Sequence, residues 1–133
     1  MDARFAALFA TLYIAHMIGD YWVQTDWQAR RKGDGGMVGR FACAAHVATY
    51  TATIIIVVVI VSYRLNLDLS FPRVTVALVV SAVTHYVTDR ISPLRRMAVA
   101  CRHSRAWLDS GGLTMVDQAW HMGWLGVAAL IMA

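Results

Sequence analysis

The 133-residue chain contains no glutamate, and charge of any kind is scarce. Charged residues make up 15% of it and hydrophobic ones 59%, against about 25% and about 45–50% in soluble domains. That apolar excess excludes disorder. Two prolines and nine glycines exclude a collagen-like repeat, and two cysteines are too few for a disulfide-stapled mini-protein. No phosphate-cradling glycine loop, nucleophilic serine elbow or redox C-x-x-C occurs. The length suits one domain.

The apolar residues fall in four blocks, at about 4–23, 41–63, 74–91 and 113–133, with most of the charge between them. A membrane span needs about 20 residues at 1.5 Å each. Backbone groups in lipid must be satisfied within the segment, so each block is expected to be a helix. The β-branched run 54–61 would read as a strand in a soluble protein. Inside an uncharged block it reads as a lipid-facing helix. The expected fold is therefore all-α, a four-helix integral membrane bundle forming one domain over residues 1–133.

Orientation follows from the cations. Arg30, Arg31, Lys32 and Arg40 lie in the first link, and Arg90, Arg95, Arg96, Arg102 and Arg105 in the third. Only Arg4, Arg64 and Arg73 remain for the other side. By the positive-inside rule both basic links are cytoplasmic and both termini are outside. The net charge of +4 is thus a topological signal, and no nucleic-acid partner is expected. A secretory signal peptide fits residues 1–20 poorly, because the start is weakly basic and no small-x-small cleavage site follows. In the links, residues 33–36 read as a flexible turn after a helical extension through Trp27 and Arg31. Ser92-Pro93 reads as an N-cap with proline at the first helical position, opening a short interfacial cytoplasmic helix. Trp22, Trp27 and Trp107 fit an aromatic belt, Trp120 and Trp124 a packing pair, and Gly123 and Gly126 a close helix approach. Cys43 and Cys101 map to the reducing side.

The polar residues inside the spans carry the functional signal. The first span has His16-x-x-x-Asp20, the third His85-x-x-x-Asp89, the fourth Asp117-x-x-x-His121, and the second His46. A spacing of four puts both members of a pair on one helix face. Because alternate spans run in opposite directions, the reversed order in the fourth span places every histidine deeper than its aspartate. All seven groups should converge at one level just inside the cytoplasmic face. An aspartate at a helix centre costs about 2.5–3.5 kcal/mol on insertion scales, so these three should face inward and be paired, hydrogen-bonded or metal-bound. Imidazoles with carboxylates suit a divalent transition metal, zinc above all, as one or two ions held by His16, Asp20, His46, His85, Asp89, Asp117 and His121.

These residues lead to a metal-dependent hydrolase acting on a lipid or amphiphilic ester or phosphoester at the cytoplasmic face. One of Asp20, Asp89 and Asp117 would serve as general base. Arg90, Tyr50, Gln24 or Gln118 would stabilise developing negative charge. Two alternatives stand beside it. One is a homo-oligomer that translocates protons or metal ions, since intramembrane ionisable residues mark such paths. The other is a non-enzymatic, holin-like or partner-binding bundle whose His/Asp network is structural.

The stretch His16-Met17-Ile18-Gly19-Asp20-Tyr21-Trp22-Val23-Gln24-Thr25-Asp26-Trp27 also resembles the signature H-x-x-G-D-[FY]-x-x-Q-T-D-W of the domain of unknown function 3307 family. His46 with Tyr50, His85 through Asp89, and Asp117-Gln118 with His121 are similar to its later elements, and Lys32 matches a lysine that family patterns often carry in the first link. The resemblance implies a small multi-pass protein of the bacterial cytoplasmic membrane and implies no activity.

Overall fold

The computed structural model describes residues 3–133, which are helical with no strand among them. Four long helices dominate: α1 (Ala3–Ile18), α3 (Gly36–Leu65), α4 (Phe71–Asp89) and α7 (Leu113–Met132). Short helices fill the links at one end of the molecule: α2 (Asp26–Arg31), α5 (Ser92–Ala100) and α6 (Arg105–Trp107). The long helices fall on the four apolar blocks and pack as a ring, α1 on α3, α3 on α4, α4 on α7 and α7 back on α1.

Two of them, α3 and α4, are long and apolar enough to cross a membrane. The other two fall short for identifiable reasons. The regular part of α1 has 16 residues before the chain widens into a π-turn over Gly19–Val23. Helix α7 has 20 residues but carries Asp117, Gln118 and His121 in its first half.

The outer surface is largely apolar, and the interior holds a polar layer beside an apolar core. Ile55, Ile56, Val59 and Ile60 on α3 and Val76, Val79 and Val83 on α4 point outward. Thr11, His16, His46, Ser81, His85, Thr88, Asp89 and His121 are buried. The 54–61 run is helical as expected, yet Ile54 and Val58 turn inward, because a period of 3.6 brings one residue per turn to the core. The hydroxyls of Thr53, Thr75, Thr84 and Thr88 each donate to the carbonyl four residues earlier, so each helix satisfies them itself.

Two devices hold the link end together. Helix α2 opens with a capping box in which Thr25 Oγ1 accepts from the Gln28 backbone N–H and Gln28 Oε1 accepts from that of Thr25. Arg90, at the end of α4, donates to the carbonyls of Lys32 (2.7 Å) and Asp34 (2.5 Å) and so clamps the turn between α2 and α3. Gly39 permits this clamp, since a Cβ there would overlap the Asp34 carbonyl and the Arg90 guanidinium.

Helix α5 begins with Ser92 and Pro93 in its first turn. The cap, however, is Ile91 rather than Ser92, with a φ of 60° and no side-chain hydrogen bond. Ser92 is already helical because its N–H closes a tight turn on the Arg90 carbonyl. The helical stretch is also broken at residues 101–104, short of Trp107. Gly123 does not mediate a close approach, as nothing lies within 4 Å of a Cβ built there. That role falls to Gly19, where a Cβ would sit 3.0 Å from the Tyr50 ring.

Candidate metal centre

Each long helix delivers its polar side chains to one layer of the bundle. His16 closes α1, and Asp20 follows in the π-turn, a distortion that often marks functional positions. His46 comes from α3, His85 and Asp89 from the end of α4, and Asp117 and His121 from the first half of α7.

The geometry is centred on His85 and Asp89. His85 Nε2 lies 3.0 Å from His46 Nε2, 3.2 Å from Asp89 Oδ2 and 3.6 Å from Asp20 Oδ1. His46 Nε2 lies 3.3 Å from Asp89 Oδ2 and 3.4 Å from Asp20 Oδ1. His16 Nδ1 is 3.5 Å from Asp20 Oδ2. On the α7 side, His121 Nε2 stands 3.7 Å from Asp117 Oδ1 and 3.9 Å from Asp89 Oδ1. Asp89 therefore turns one oxygen toward His46 and His85 and the other toward His121. Three triads bring ligand atoms within 4.8 Å of one another: His16/His85/His121, Asp20/His46/His85 and Asp89/Asp117/His121. Together they contain all seven residues singled out by spacing. Tyr50 packs beneath, its ring centroid 3.9 Å from that of His85, and its hydroxyl lies 3.2 Å from Ser81 Oγ.

The arrangement coincides with a known sequence grouping. A family model described as a protein of unknown function, DUF3307, matches residues 8–133. The chain belongs to this family. No curated protein and no solved structure matches it.

In this DUF3307 protein several buried polar atoms of the cluster have no hydrogen-bond partner among the described residues. They are both ring nitrogens of His16, Nδ1 of His46 and His85, Nε2 of His121, Asp20 Oδ1 and Asp89 Oδ2. Buried polar groups are ordinarily satisfied, and so many orphans in one place call for an explanation. The donor set of imidazole nitrogens and carboxylate oxygens suits Zn²⁺, Fe²⁺ or Mn²⁺.

Lys32 joins the cluster from the first link, its Nζ donating to Asp89 Oδ1 at 3.0 Å with the aspartate side chain 3% exposed. Three aspartates and one lysine give a formal balance of −2 when the imidazoles are neutral, which one divalent cation cancels. The ion pair spans 57 residues of sequence, so helical spacing could not reveal it. The available signals were that Lys32 is the single lysine of the chain and that it matches the first-link lysine of the family pattern.

Two residues expected to stabilise negative charge, Arg90 and Gln118, have other partners. The Arg90 guanidinium holds the α2–α3 turn. Gln118 Nε2 donates to Asp117 at 3.2 Å, at the edge of the cluster. The buried Cys43 thiol donates to the Tyr86 carbonyl and is in none of the triads. Exposed His103 stacks on Trp107 with ring centroids 4.9 Å apart.

Proposed function

We propose that this chain is a multi-pass protein of the cytoplasmic membrane that binds a divalent transition metal and uses it to hydrolyse a lipid or amphiphilic ester or phosphoester. The observation that carries this reading is the layer of seven His and Asp side chains whose ligand atoms come together in three triads, with atoms of His16, His121, Asp20 and Asp89 buried and partnerless among the described residues. His16, His46, His85 and His121 with Asp20 and Asp89 would hold the ion. The chemistry such an ion supplies is Lewis-acid activation of water and of an ester or phosphoryl oxygen. Asp117 is the carboxylate free to take a proton. Its side chain is 27% exposed, against 10% for Asp20 and 3% for Asp89, and it borders a cavity beside the cluster. Tyr50 and Ser81 close the opposite side and exclude water from below.

The apolar layer that follows supports a closed site over a conduction path. Leu8, Leu12, Ile54, Val58, Ala77, Leu125, Ala128 and Met132 form one continuous buried cluster. The hydroxyls near that level bond back to their own helices.

Metal analysis of the full chain purified without chelator tests the centre. About one equivalent of transition metal per chain is expected from the charge balance, and a chain free of stoichiometric metal overturns the reading. Topology is tested by the two cysteines, which serve as probe and control. Cys101 is exposed in the third link and Cys43 is buried. A membrane-impermeant maleimide should leave intact spheroplasts unlabelled and label Cys101 alone once they are permeabilised. Labelling of intact cells would reverse the orientation.

A further inference from the structure

Beside the His/Asp cluster, at the link end of the bundle, the structure opens into a cavity of about 200 Å³. Lys32, Asp89 and Asp117 line it on the cluster side, and Ile91, Leu94 and Leu113 form its apolar wall. We infer that this cavity receives the phosphate-bearing headgroup of an anionic phospholipid, that Lys32 is its ammonium contact, and that such a lipid is the substrate of the neighbouring centre. The inference rests on the metal-centre reading and adds the substrate class to it.

Size is the first argument. Pockets that enclose whole ligands measure roughly 300–1,000 Å³, so about 200 Å³ admits a headgroup and leaves acyl chains outside. Of the apolar wall, Ile91 is exposed, and acyl chains would begin there.

Charge is the second. Lys32 is the cation of the cluster, and its side chain is 19% exposed. An ammonium has three donors, and Asp89 accepts from it at 3.0 Å, leaving the others for a ligand. Lysine binds phosphate as a point charge. Without a metal the cluster's formal −2 would repel a phosphate, and with one divalent ion it is neutral. Headgroup binding should therefore depend on the metal.

The surroundings are the third. Helix α5 buries Leu94 and Ala98 on one side, while Arg95, Arg96 and Arg105 line a separate surface concavity on the other. Cations at a membrane surface attract anionic lipid by about 1 kcal/mol each; Arg96 and Arg105 supply them at this end of the bundle, whereas Arg95 is paired with Asp109 at 2.7 Å. At the lip, Ile91 holds a φ of 60°. A β-branched residue rarely adopts that conformation, and such strain clusters at ligand-binding positions.

Calorimetric titration of the metal-loaded full chain in detergent tests the inference, with metal content measured in parallel. Dihexanoyl phosphatidic acid should bind saturably. Dihexanoyl phosphatidylcholine, hexanoate and inorganic phosphate should each bind at least about tenfold more weakly. Lys32→Met should weaken phosphatidic acid by about tenfold while retaining the metal, and Thr114→Trp, which fills the cavity from an exposed position, should do the same. If Lys32→Met does not fold, Thr114→Trp decides. Chelation should abolish binding. Equal affinity for phosphatidylcholine, for hexanoate or for inorganic phosphate would overturn the inference, as would unchanged binding by the variants. A chain without metal overturns the reading beneath it, whereas a metal-loaded chain indifferent to these ligands overturns this inference alone.

Discussion

Replacing His85 with alanine should abolish metal binding at the proposed centre, and with it the stabilisation a bound metal would confer. His85 belongs to two of the three ligand triads, and its Nε2 lies within 3.6 Å of His46, Asp89 and Asp20 atoms. His46 Nε2 makes matching contacts from α3, at 3.3 Å from Asp89 and 3.4 Å from Asp20, but His46 belongs to one triad where His85 belongs to two. Losing an outer partner of a ligand already costs about 10–100-fold in affinity, and losing the ligand itself should cost more. Metal that binds only the folded chain stabilises it by about 2.7 kcal/mol at a hundred times its Kd. Wild-type protein should therefore melt higher on addition of zinc, and His85→Ala should not respond. The ring also packs between Tyr50 and His121, at 3.9 and 4.3 Å between centroids, so the metal-free variant should be less stable than metal-free wild type. His85→Phe retains that packing volume and separates the two effects, since it should recover stability and still ignore zinc. A zinc response in His85→Ala equal to that of wild type would leave the cluster as a polar network without a metal.

The convergence of the cluster in one layer of the bundle was legible in the sequence because it depends only on helical period and chain direction. Spacing of four puts His16 with Asp20 and His85 with Asp89 on shared faces, and the reversed order of Asp117 and His121 reports the reversed direction of α7. What crosses between segments was not legible. Lys32 sits in a link where no periodicity operates, and only the folded turn brings it to Asp89. Arg90 illustrates the same limit at a helix end. It caps α4 one residue past Asp89, where the helix ends, and its guanidinium serves the α2–α3 turn instead. Ile91 was equally hidden, because a left-handed backbone at a β-branched residue contradicts every local preference. Apolar blocks likewise announce helices without saying which residues face in, as Ile54 and Val58 show within a run that looks uniform.

Removing Lys32 should be far more damaging to the metal-free chain than to the loaded one. In the metal-free chain Lys32 is the cation facing Asp89, with side chains 19% and 3% exposed. Breaking one side of a buried pair costs about 3–5 kcal/mol because the other charge is left uncompensated. Since Lys32 is partly exposed, Lys32→Met should lower unfolding stability by about 3 kcal/mol, at the bottom of that range. The formal balance of the cluster then moves from −2 to −3. A divalent ion brings it back to −1 and offers Asp89 a new partner, so zinc should recover most of the loss. The double variant Lys32→Met/Asp89→Asn removes both charges and, without metal, should be more stable than Lys32→Met alone. Denaturation of wild type, Lys32→Met, Asp89→Asn and the double variant in detergent micelles, with and without zinc, measures the full cycle. Equal destabilisation by Lys32→Met in both conditions would mean that metal and lysine do not share Asp89. Strict additivity in the double variant would mean that the 3.0 Å contact carries no energy. Recovery by zinc together with non-additivity is the result that a single carboxylate held between an ammonium and a metal requires.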